Sequence, residues 1–139
     1  IHVTFVLPDF HLPTKEARAA LPVKVSMKDA VHNISRAVLV TEAFRNGDMD
    51  LLGKAMTDTL HQPYRLPLIP GAQSAMEAAK EAGADAVALS GAGPSLIAFS
   101  SKAEAGVGES MKRAFEAAGL TARIFHLGVS GRGAEIQTA

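Results

Sequence analysis

The chain has 139 residues, of which 47% are hydrophobic and 20% charged, the composition of one ordinary globular domain. Its 14 basic residues balance 14 acidic ones, so no basic field favours a nucleic acid or an anionic membrane as a partner. The absence of cysteine excludes disulfides and thiolate chemistry, and it fits a reducing cytoplasm. No apolar run approaches the roughly 18 residues of a membrane span.

The chain opens directly in a strand-like run. Residues 2–7 are rich in β-branched and aromatic side chains, and Pro8 is expected to end this strand. Because the first residue is Ile1 rather than methionine, we expect either a domain of a longer protein or a processed terminus.

A short helix is predicted next, with Thr14 as its cap and Leu21 as its last residue. Pro22 is expected to end it. Thr14 and Arg18 are four residues apart and therefore share one side of the helix. A hydroxyl beside a guanidinium can bind a small carboxylate.

The longest predicted helix begins after Ser26, which with Asp29 resembles a capping box, and ends at Gly47. Apolar and small residues recur along it at helical spacing: Met27, Ala30, Val31, Ile34, Ala37, Val38, Thr41 and Phe44. A second stripe consists of Asp29, Asn33 and Arg36. The simplest interpretation of that polar stripe is a solvated face.

Asp48 is expected to cap a third helix, and a connector of residues 61–70 follows it. Its three prolines predict a rigid segment that stays out of helix. Taken alone, His61 and Arg65 in this connector suggest surface or hydrogen-bonding residues rather than ligands.

The second half of the chain repeats a helix and then a strand, and each helix is closed by a glycine, Gly83 and Gly119. The strands are predicted at residues 84–89, 96–99 and 121–127. This order indicates an α+β sandwich, a mostly antiparallel sheet with helices on one face. Residues 134–137 can add an edge strand.

A glycine-rich loop of residues 89–95 separates two apolar runs. Gly91 and Gly93 can adopt positive φ, which turns successive backbone N–H groups into a concavity that binds an anion. Ser90 and Ser95 add a hydroxyl at each end. A simple chain reversal would need the same residues. The loop matches neither a dinucleotide fingerprint nor a Walker loop, because it runs into a strand.

Four segments together resemble a known family. The loop motif ALSGAGPS at residues 88–95 is similar to the third motif of the GHMP small-molecule kinases. Three further motifs resemble the homoserine kinases within that superfamily: LPTKEARAALP at 12–22, KDAVHNISRA at 28–37 and DTLHQPYR at 58–65.

The resemblance implies that residues 1–139 form the ferredoxin-like C-terminal domain of such a kinase, without its N-terminal ATP-binding domain. The implied reaction moves the γ-phosphoryl group of ATP to the hydroxyl of L-homoserine, a step toward threonine. Mg²⁺ and the substrate ammonium would bind mainly to the N-terminal domain. The chain alone is therefore expected to be inactive, and it is assigned neither a catalytic base nor a metal ligand.

By resemblance, Thr14, Arg18 and Arg65 contact homoserine, with the two arginines at its carboxylate. The loop would line the nucleotide phosphates through the following residues: Ser90, Gly91, Ala92, Gly93 and Ser95. His61 and Asn33 could hold the loop or the helix in place.

Two alternatives remain. One is another GHMP kinase acting on a different small alcohol, and the other is a ferredoxin-like module that binds a ligand without chemistry. An exposed apolar face could also bring two copies together as a homodimer.

Overall fold

One antiparallel sheet organises the chain in the computed structural model, which describes residues 1–103, 105–133 and 135–136. Its strands are β1 (His2–Pro8), β2 (Ala86–Leu89), β3 (Leu96–Ser100) and β4 (Ala122–Leu127). Their order across the sheet is β2-β3-β1-β4, and each neighbouring pair is antiparallel. The first strand is one residue longer than predicted, because Pro8 still pairs with Ala122.

Six helices accompany the sheet in the described residues: α1 (Thr14–Ala19), α2 (Met27–Asn46), α3 (Met49–Ala55), α4 (Gln62–Arg65), α5 (Ala72–Glu81) and α6 (Ala105–Ala117). A single 3-10 turn, Leu66–Leu68, follows α4. Helices α5 and α6 pack against each other and against the sheet. This order of elements confirms the predicted ferredoxin-like α+β sandwich. Helices α1 to α4 are an insertion between β1 and α5.

The main core lies between the sheet and α5 and α6. Phe115 and Met111 of α6 are completely buried there against Leu96 of β3 and Val6 of β1. Burial of each such side chain contributes about 1.5–3 kcal/mol. The core therefore makes a firm platform for the loops at the ends of the strands.

Helices α2 and α3 attach at the β2 edge through a second, smaller cluster. Ala43 and Leu52 are buried there with Ala86 of β2, and the rings of Phe44 and Phe99 meet edge to face at 5.3 Å. This contact fixes where the segment after α3 begins, and that segment carries part of the candidate site.

Helix α1 differs from the prediction in its first and last residues. Thr14 is not the cap, because the N–H of Ala17 already bonds to the carbonyl of Pro13 at 3.0 Å, which places Thr14 inside the first turn. No side chain caps this helix, and it ends at Ala19 rather than at Leu21. Thr14 was wrongly predicted as the cap because the carbonyl of Pro13, one residue earlier, accepts the first hydrogen bond of the helix.

The predicted proline-rich connector was also wrong, since α4 and the 3-10 turn occupy most of it. Pro63 lies in the first turn of α4. Backbone N–H groups in a first turn have no acceptor within the helix, so a proline there costs no helical hydrogen bond. Pro67 lies equally early in the 3-10 turn. The prolines therefore mark starts of helical turns rather than excluding them.

Helix α2 begins and ends as predicted, with Ser26 accepting the N–H of Asp29 at 3.0 Å and Gly47 at φ +66°. Its polar stripe is not a solvated face, however. Asn33 and Arg36 are half-buried and line a cavity beside α3. The interpretation failed because Asn33 has hydrogen-bond partners inside the domain, which are described below.

The predicted edge strand at 134–137 lies partly outside the described residues. Ala134 and Gln137 are not among them, and Glu135 and Ile136 are not in a strand.

Close packing of α6 on the sheet makes Gly108 sensitive to substitution. A Cβ there would lie 2.6 Å from Ile124 Cγ2 and 3.2 Å from Thr4 Cγ2. We expect Gly108→Ala to lower the free energy of unfolding by about 1–3 kcal/mol, because a branched methyl on β4 cannot move away. Gly106→Ala is the matched control, since its Cβ meets nothing within 4 Å. Equal urea-unfolding midpoints for the two variants would contradict the close approach.

Candidate functional site

The segment between α3 and α4 is organised by one carboxylate, that of Asp58. It accepts the backbone N–H groups of Leu60 and His61, each at 2.9 Å, and that of Gln62. It also accepts the side-chain amide of Asn33 at 2.5 Å. Asp58 thus satisfies the free N–H groups at the start of α4 and ties α4 to α2.

Asn33 completes this junction with its other amide atom. Its Oδ1 accepts both the N–H and the hydroxyl of Thr59, each at 3.0 Å. Both ends of the amide are therefore bonded to the segment that leads into α4. Asn33, whose role the sequence left open, thus ties α2 to the segment that leads into α4.

The pKa of Asp58 is lowered from its ordinary value. Burial alone would raise the pKa, but the bonds from the Gln62 N–H, the Asn33 amide and the N–H groups of Leu60 and His61 outweigh it. These donors stabilise the charged form. Asp58 therefore remains ionised at neutral pH.

Two side chains connect α4 to the glycine-rich loop. His61 Nε2 lies 3.1 Å from the carbonyl oxygen of Gly91, so this bond requires the proton on Nε2. Gln62 Oε1 accepts the N–H of Leu89 at 2.7 Å, at the end of β2. His61, whose role the sequence left open, and Gln62 thus couple the positions of α4 and the loop.

The loop has the predicted left-handed glycines, with φ of +61° at Gly91 and +86° at Gly93. It closes on itself, because Ser90 N–H bonds to the carbonyl of Ser95 at 2.8 Å and Gly93 N–H to that of Ser90 at 3.2 Å. In the described part of the chain, the N–H groups of Gly91 and Ala92 have no protein acceptor. The concavity therefore offers two donors rather than a full ring.

Arg65 is the most deeply buried of the predicted substrate residues, at 7% exposure. Its Nε donates to the carbonyl of Ala17 at 3.0 Å, which joins α4 to α1 one residue before Arg18. Within the described residues, the Nη atoms of Arg65 make no hydrogen bond to protein. One edge of the guanidinium is therefore committed to the fold, and the other edge is available to a ligand.

Thr14 and Arg18 are exposed on α1. The start of α1 also approaches the loop, because Leu12 Cδ2 lies 3.7 Å from where a Cβ of Gly93 would be. The segment before α1 thus approaches the loop, α4 is bonded to α1 through Arg65, and His61 at the start of α4 is bonded to the loop.

Two cavities lie elsewhere on the domain. One, of about 600 Å³, is lined by Asp9, His11 and Arg123 where β1 ends and β4 begins. The other, of about 280 Å³, is bordered by Asn33, Arg36, Asp58 and His61. Neither cavity is lined by Thr14, Arg18 or Arg65.

Two kinds of feature are absent from the described residues. No three histidines or carboxylates lie close enough together to hold a metal ion. No helix in this part of the chain combines the length and the apolarity needed to cross a membrane.

Asp58 and Gln62 support this region by hydrogen bonds, and the sequence did not predict a role for either residue. An aspartate shortly before a proline-containing first turn is a signal for a helix start. The signal was obscured because the prolines that follow Asp58 had suggested a connector without helix. No sequence pattern marks Gln62, whose partner Leu89 is distant along the chain.

The low pKa of Asp58 predicts that the start of α4 opens in acid. A carboxylate with a lowered native pKa stabilises the fold above its ordinary pKa of about 3.9, and this contribution is lost as the pH falls through the native value. We expect the hydrogen-exchange protection of the Leu60 and His61 amides to fall below about pH 4. Asp58→Asn should show weak protection with no such step, and an unchanged acid step in that variant would contradict the assignment.

Comparison with known proteins agrees with this geometry. Residues 40–117, more than half of the chain, match the family model described as GHMP kinases C terminal. A homoserine kinase of Moorella thermoacetica is 47% identical over 130 residues, which are 94% of this chain and 44% of the relative. A homoserine kinase of Pyrococcus furiosus is 43% identical over 133 residues, 96% of this chain and 45% of the relative.

A solved structure shares the fold as well. The crystal structure of homoserine kinase from Cytophaga hutchinsonii superposes with a TM-score of 0.87 at 31% identity, covering 92% of this chain and 41% of that one. The chain spans less than half the length of these relatives. The matched motif region, the sheet order and the overlap in structure lead to one conclusion: this chain belongs to the family of GHMP kinase C-terminal domains.

Proposed function

We propose that residues 1–139 form the C-terminal domain of a homoserine kinase, which transfers the γ-phosphoryl group of ATP to the hydroxyl of L-homoserine on the way to threonine. The names of the relatives and the family of the domain support this proposal. Thr14, Arg18 and Arg65 would bind the amino acid, and the loop at 90–95 would line the phosphates.

The main support for the proposal is the hydrogen bonding of the Arg65 guanidinium. Its guanidinium is held by α1 through Nε, while its Nη edge has no protein partner in the described residues. A planar fork fixed in this way binds a carboxylate with two parallel hydrogen bonds. The neighbouring exposed Arg18 would add a second cation, and the Thr14 hydroxyl a further hydrogen bond.

The loop fits a place beside phosphate oxygens. The N–H groups of Gly91 and Ala92 are free of protein acceptors in the described part of the chain, and a Cβ on Gly91 would meet nothing within 4 Å. Backbone N–H groups on a glycine turn can donate hydrogen bonds to an anion, although they carry only a partial positive charge. Because His61 and Gln62 tie the loop to α4, the loop and Arg65 would stay in fixed relation.

Phosphoryl transfer depends mainly on positioning and on charge stabilisation, so the proposal needs no general base from this domain. ATP would supply the phosphoryl group. The described residues include no cluster that fits Mg²⁺, and we assign the ion no residue of this chain. We place the main nucleotide loop and the partner of the substrate ammonium on an N-terminal ATP-binding domain.

A substrate panel tests the proposal. The domain joined to its own upstream coding sequence is expected to release ADP from ATP with L-homoserine and much more slowly with other small alcohols such as mevalonate or galactose. The 139-residue chain alone is expected to show no turnover. Preference for another alcohol would assign the domain to a different GHMP kinase, and ligand binding without turnover of any alcohol would favour a binding module.

A further inference from the structure

Arg36 of α2 carries a buried hydrogen-bond donor that the fold leaves without a partner. Its Nε is buried and has no acceptor among the described residues. No carboxylate in the same part of the chain forms an ion pair with its guanidinium. Buried polar groups are normally hydrogen-bonded, so a donor of this kind indicates a ligand or an ordered water. The space beside Arg36 helps to decide between the two.

That space is the cavity of about 280 Å³ between α2, the segment that leads into α4 and the end of β2. Besides Arg36, its lining includes the apolar side chains of Val40, Met56 and Leu89. One water takes up about 30 Å³ in the liquid, so the cavity has room for a molecule of several heavy atoms. The three residues proposed to bind homoserine do not line it, and the cavity is therefore separate from that site.

The carboxylate that borders this cavity, that of Asp58, has no acceptor capacity left for a ligand. Its Oδ1 accepts the Asn33 amide and the Leu60 N–H. Its Oδ2 accepts the N–H groups of His61 and Gln62. Each carboxylate oxygen has two lone pairs, and all four are used. A ligand ammonium would therefore find no acceptor on Asp58, whereas a ligand anion would find the donors of Arg36.

We propose that this cavity binds a small aliphatic monocarboxylate without an amino group, held by the Arg36 guanidinium. The edge formed by Nε and one Nη pairs with a carboxylate through two parallel hydrogen bonds. The ionised Asp58 on the same cavity disfavours a second negative charge, so a monocarboxylate fits better than a phosphate dianion. The apolar side chains of the lining would contact a short alkyl chain.

An NMR titration with pentanoate and norvaline tests the class of ligand, because the two molecules differ only by the amino group. We expect pentanoate to shift the amide resonances of Asn33 and Leu89 and to bind at least about tenfold more tightly than norvaline or inorganic phosphate. Binding of either of those two as tight as that of pentanoate would overturn the assignment. No pentanoate binding up to about 10 mM would also overturn it and would leave water as the partner of Arg36.

Arg36→Gln removes the cation and should weaken pentanoate binding by at least about tenfold. Arg45→Gln is the matched control, because it makes the same change of charge at an exposed position of α2 outside the cavity. Arg36→Lys keeps the charge without the planar guanidinium and should bind with intermediate affinity. Equal pentanoate affinity of Arg36→Gln and Arg45→Gln would overturn the proposal.

Stability separates ligand binding from a structural role of Arg36. Because its Nε has no partner in the described residues, we expect the urea-unfolding midpoint of ligand-free Arg36→Gln to equal or exceed that of the unsubstituted chain. A lower midpoint together with lost binding would assign Arg36 to the fold instead and would contradict the proposal.

The domain joined to its own upstream coding sequence distinguishes a free ligand from a carboxylate of the same protein. We expect this longer protein and the 139-residue chain to bind pentanoate with equal dissociation constants. Binding by the 139-residue chain alone would show that another part of the protein reaches Arg36, and the proposal of a free monocarboxylate would fail.

Discussion

Arg65→Ala in the proposed kinase is expected to lower kcat/KM for homoserine by at least about 100-fold. A hydrogen bond to a charged group contributes about 1.5–3 kcal/mol, and a bidentate pair to a carboxylate contributes two such bonds. The loss should appear mainly as a higher KM for homoserine, because the carboxylate does not change during phosphoryl transfer. Steady-state kinetics with homoserine varied at saturating ATP measure it.

A structural role of Arg65 must be separated from substrate binding, since its Nε also holds the carbonyl of Ala17. Loss of that bond alone should reduce the free energy of unfolding by about 1–3 kcal/mol and leave the KM for ATP almost unchanged. Arg65→Lys keeps the positive charge but lacks the planar guanidinium. We therefore expect its KM for homoserine to lie between the values of the unsubstituted enzyme and of Arg65→Ala. Arg113→Ala, at an exposed arginine of α6, serves as the control. A normal homoserine KM for folded Arg65→Ala would exclude Arg65 from the substrate site.

The sheet and its two covering helices could be predicted because their signals are local. Gly83 and Gly119 end the two helices with positive φ, and the alternating apolar residues after them form strands β2 and β4. A glycine that ends a helix and an apolar run that follows the glycine can both be recognised without knowing which distant residues they contact. The ferredoxin-like order then follows from the sequence of elements alone.

Helix α2 shows where such local reasoning fails. Helical periodicity identifies an apolar stripe, but it does not show whether the stripe contacts the core of the domain, a partner or solvent. Here the polar Asn33 faces the domain because Asp58 and Thr59 supply its partners from 25 and 26 residues away. Those partners are visible only once the chain is folded. The apolar stripe of the helix, which includes Val31, Ile34 and Val38, is left exposed.

The sequence motifs propose residues for the candidate site, but they do not show how those residues are connected. The motifs point to Arg65 and to the loop, whereas the bonds that couple them come from Asp58, His61 and Gln62. Each of these bonds joins a side chain to a backbone group, and the identity of a residue gives no information on which backbone group will be its partner. This explains why His61 could be suggested as a support while its partner, the carbonyl of Gly91, could not.

Gly93→Val is expected to destabilise the domain by about 2–5 kcal/mol and to raise the KM for ATP in the proposed kinase. At φ of +86°, any side chain is strained, and a Cβ would lie 2.8 Å from Ile69 Cδ1. Ile69 is only 2% exposed, and Leu89 and Leu12 are also close to the same point. The loop must therefore move outward, which displaces Gly91 and Ala92 from the phosphates. Thermal unfolding of the chain and kinetics of the complete enzyme measure the two effects.

Gly91→Val separates backbone strain from this clash, because Gly91 has a comparable φ of +61° but its Cβ meets nothing within 4 Å. The strain common to both variants is about 1–2 kcal/mol, so a larger loss of stability in Gly93→Val reports the contact with Ile69. Equal losses would show that the loop can shift without cost to the core. If Gly93→Val is as stable as expected for strain alone yet still fails to use ATP, the loop geometry itself sets nucleotide binding. If it keeps a normal KM for ATP despite the loss of stability, the loop does not line the phosphates and the proposed nucleotide role of residues 90–95 fails.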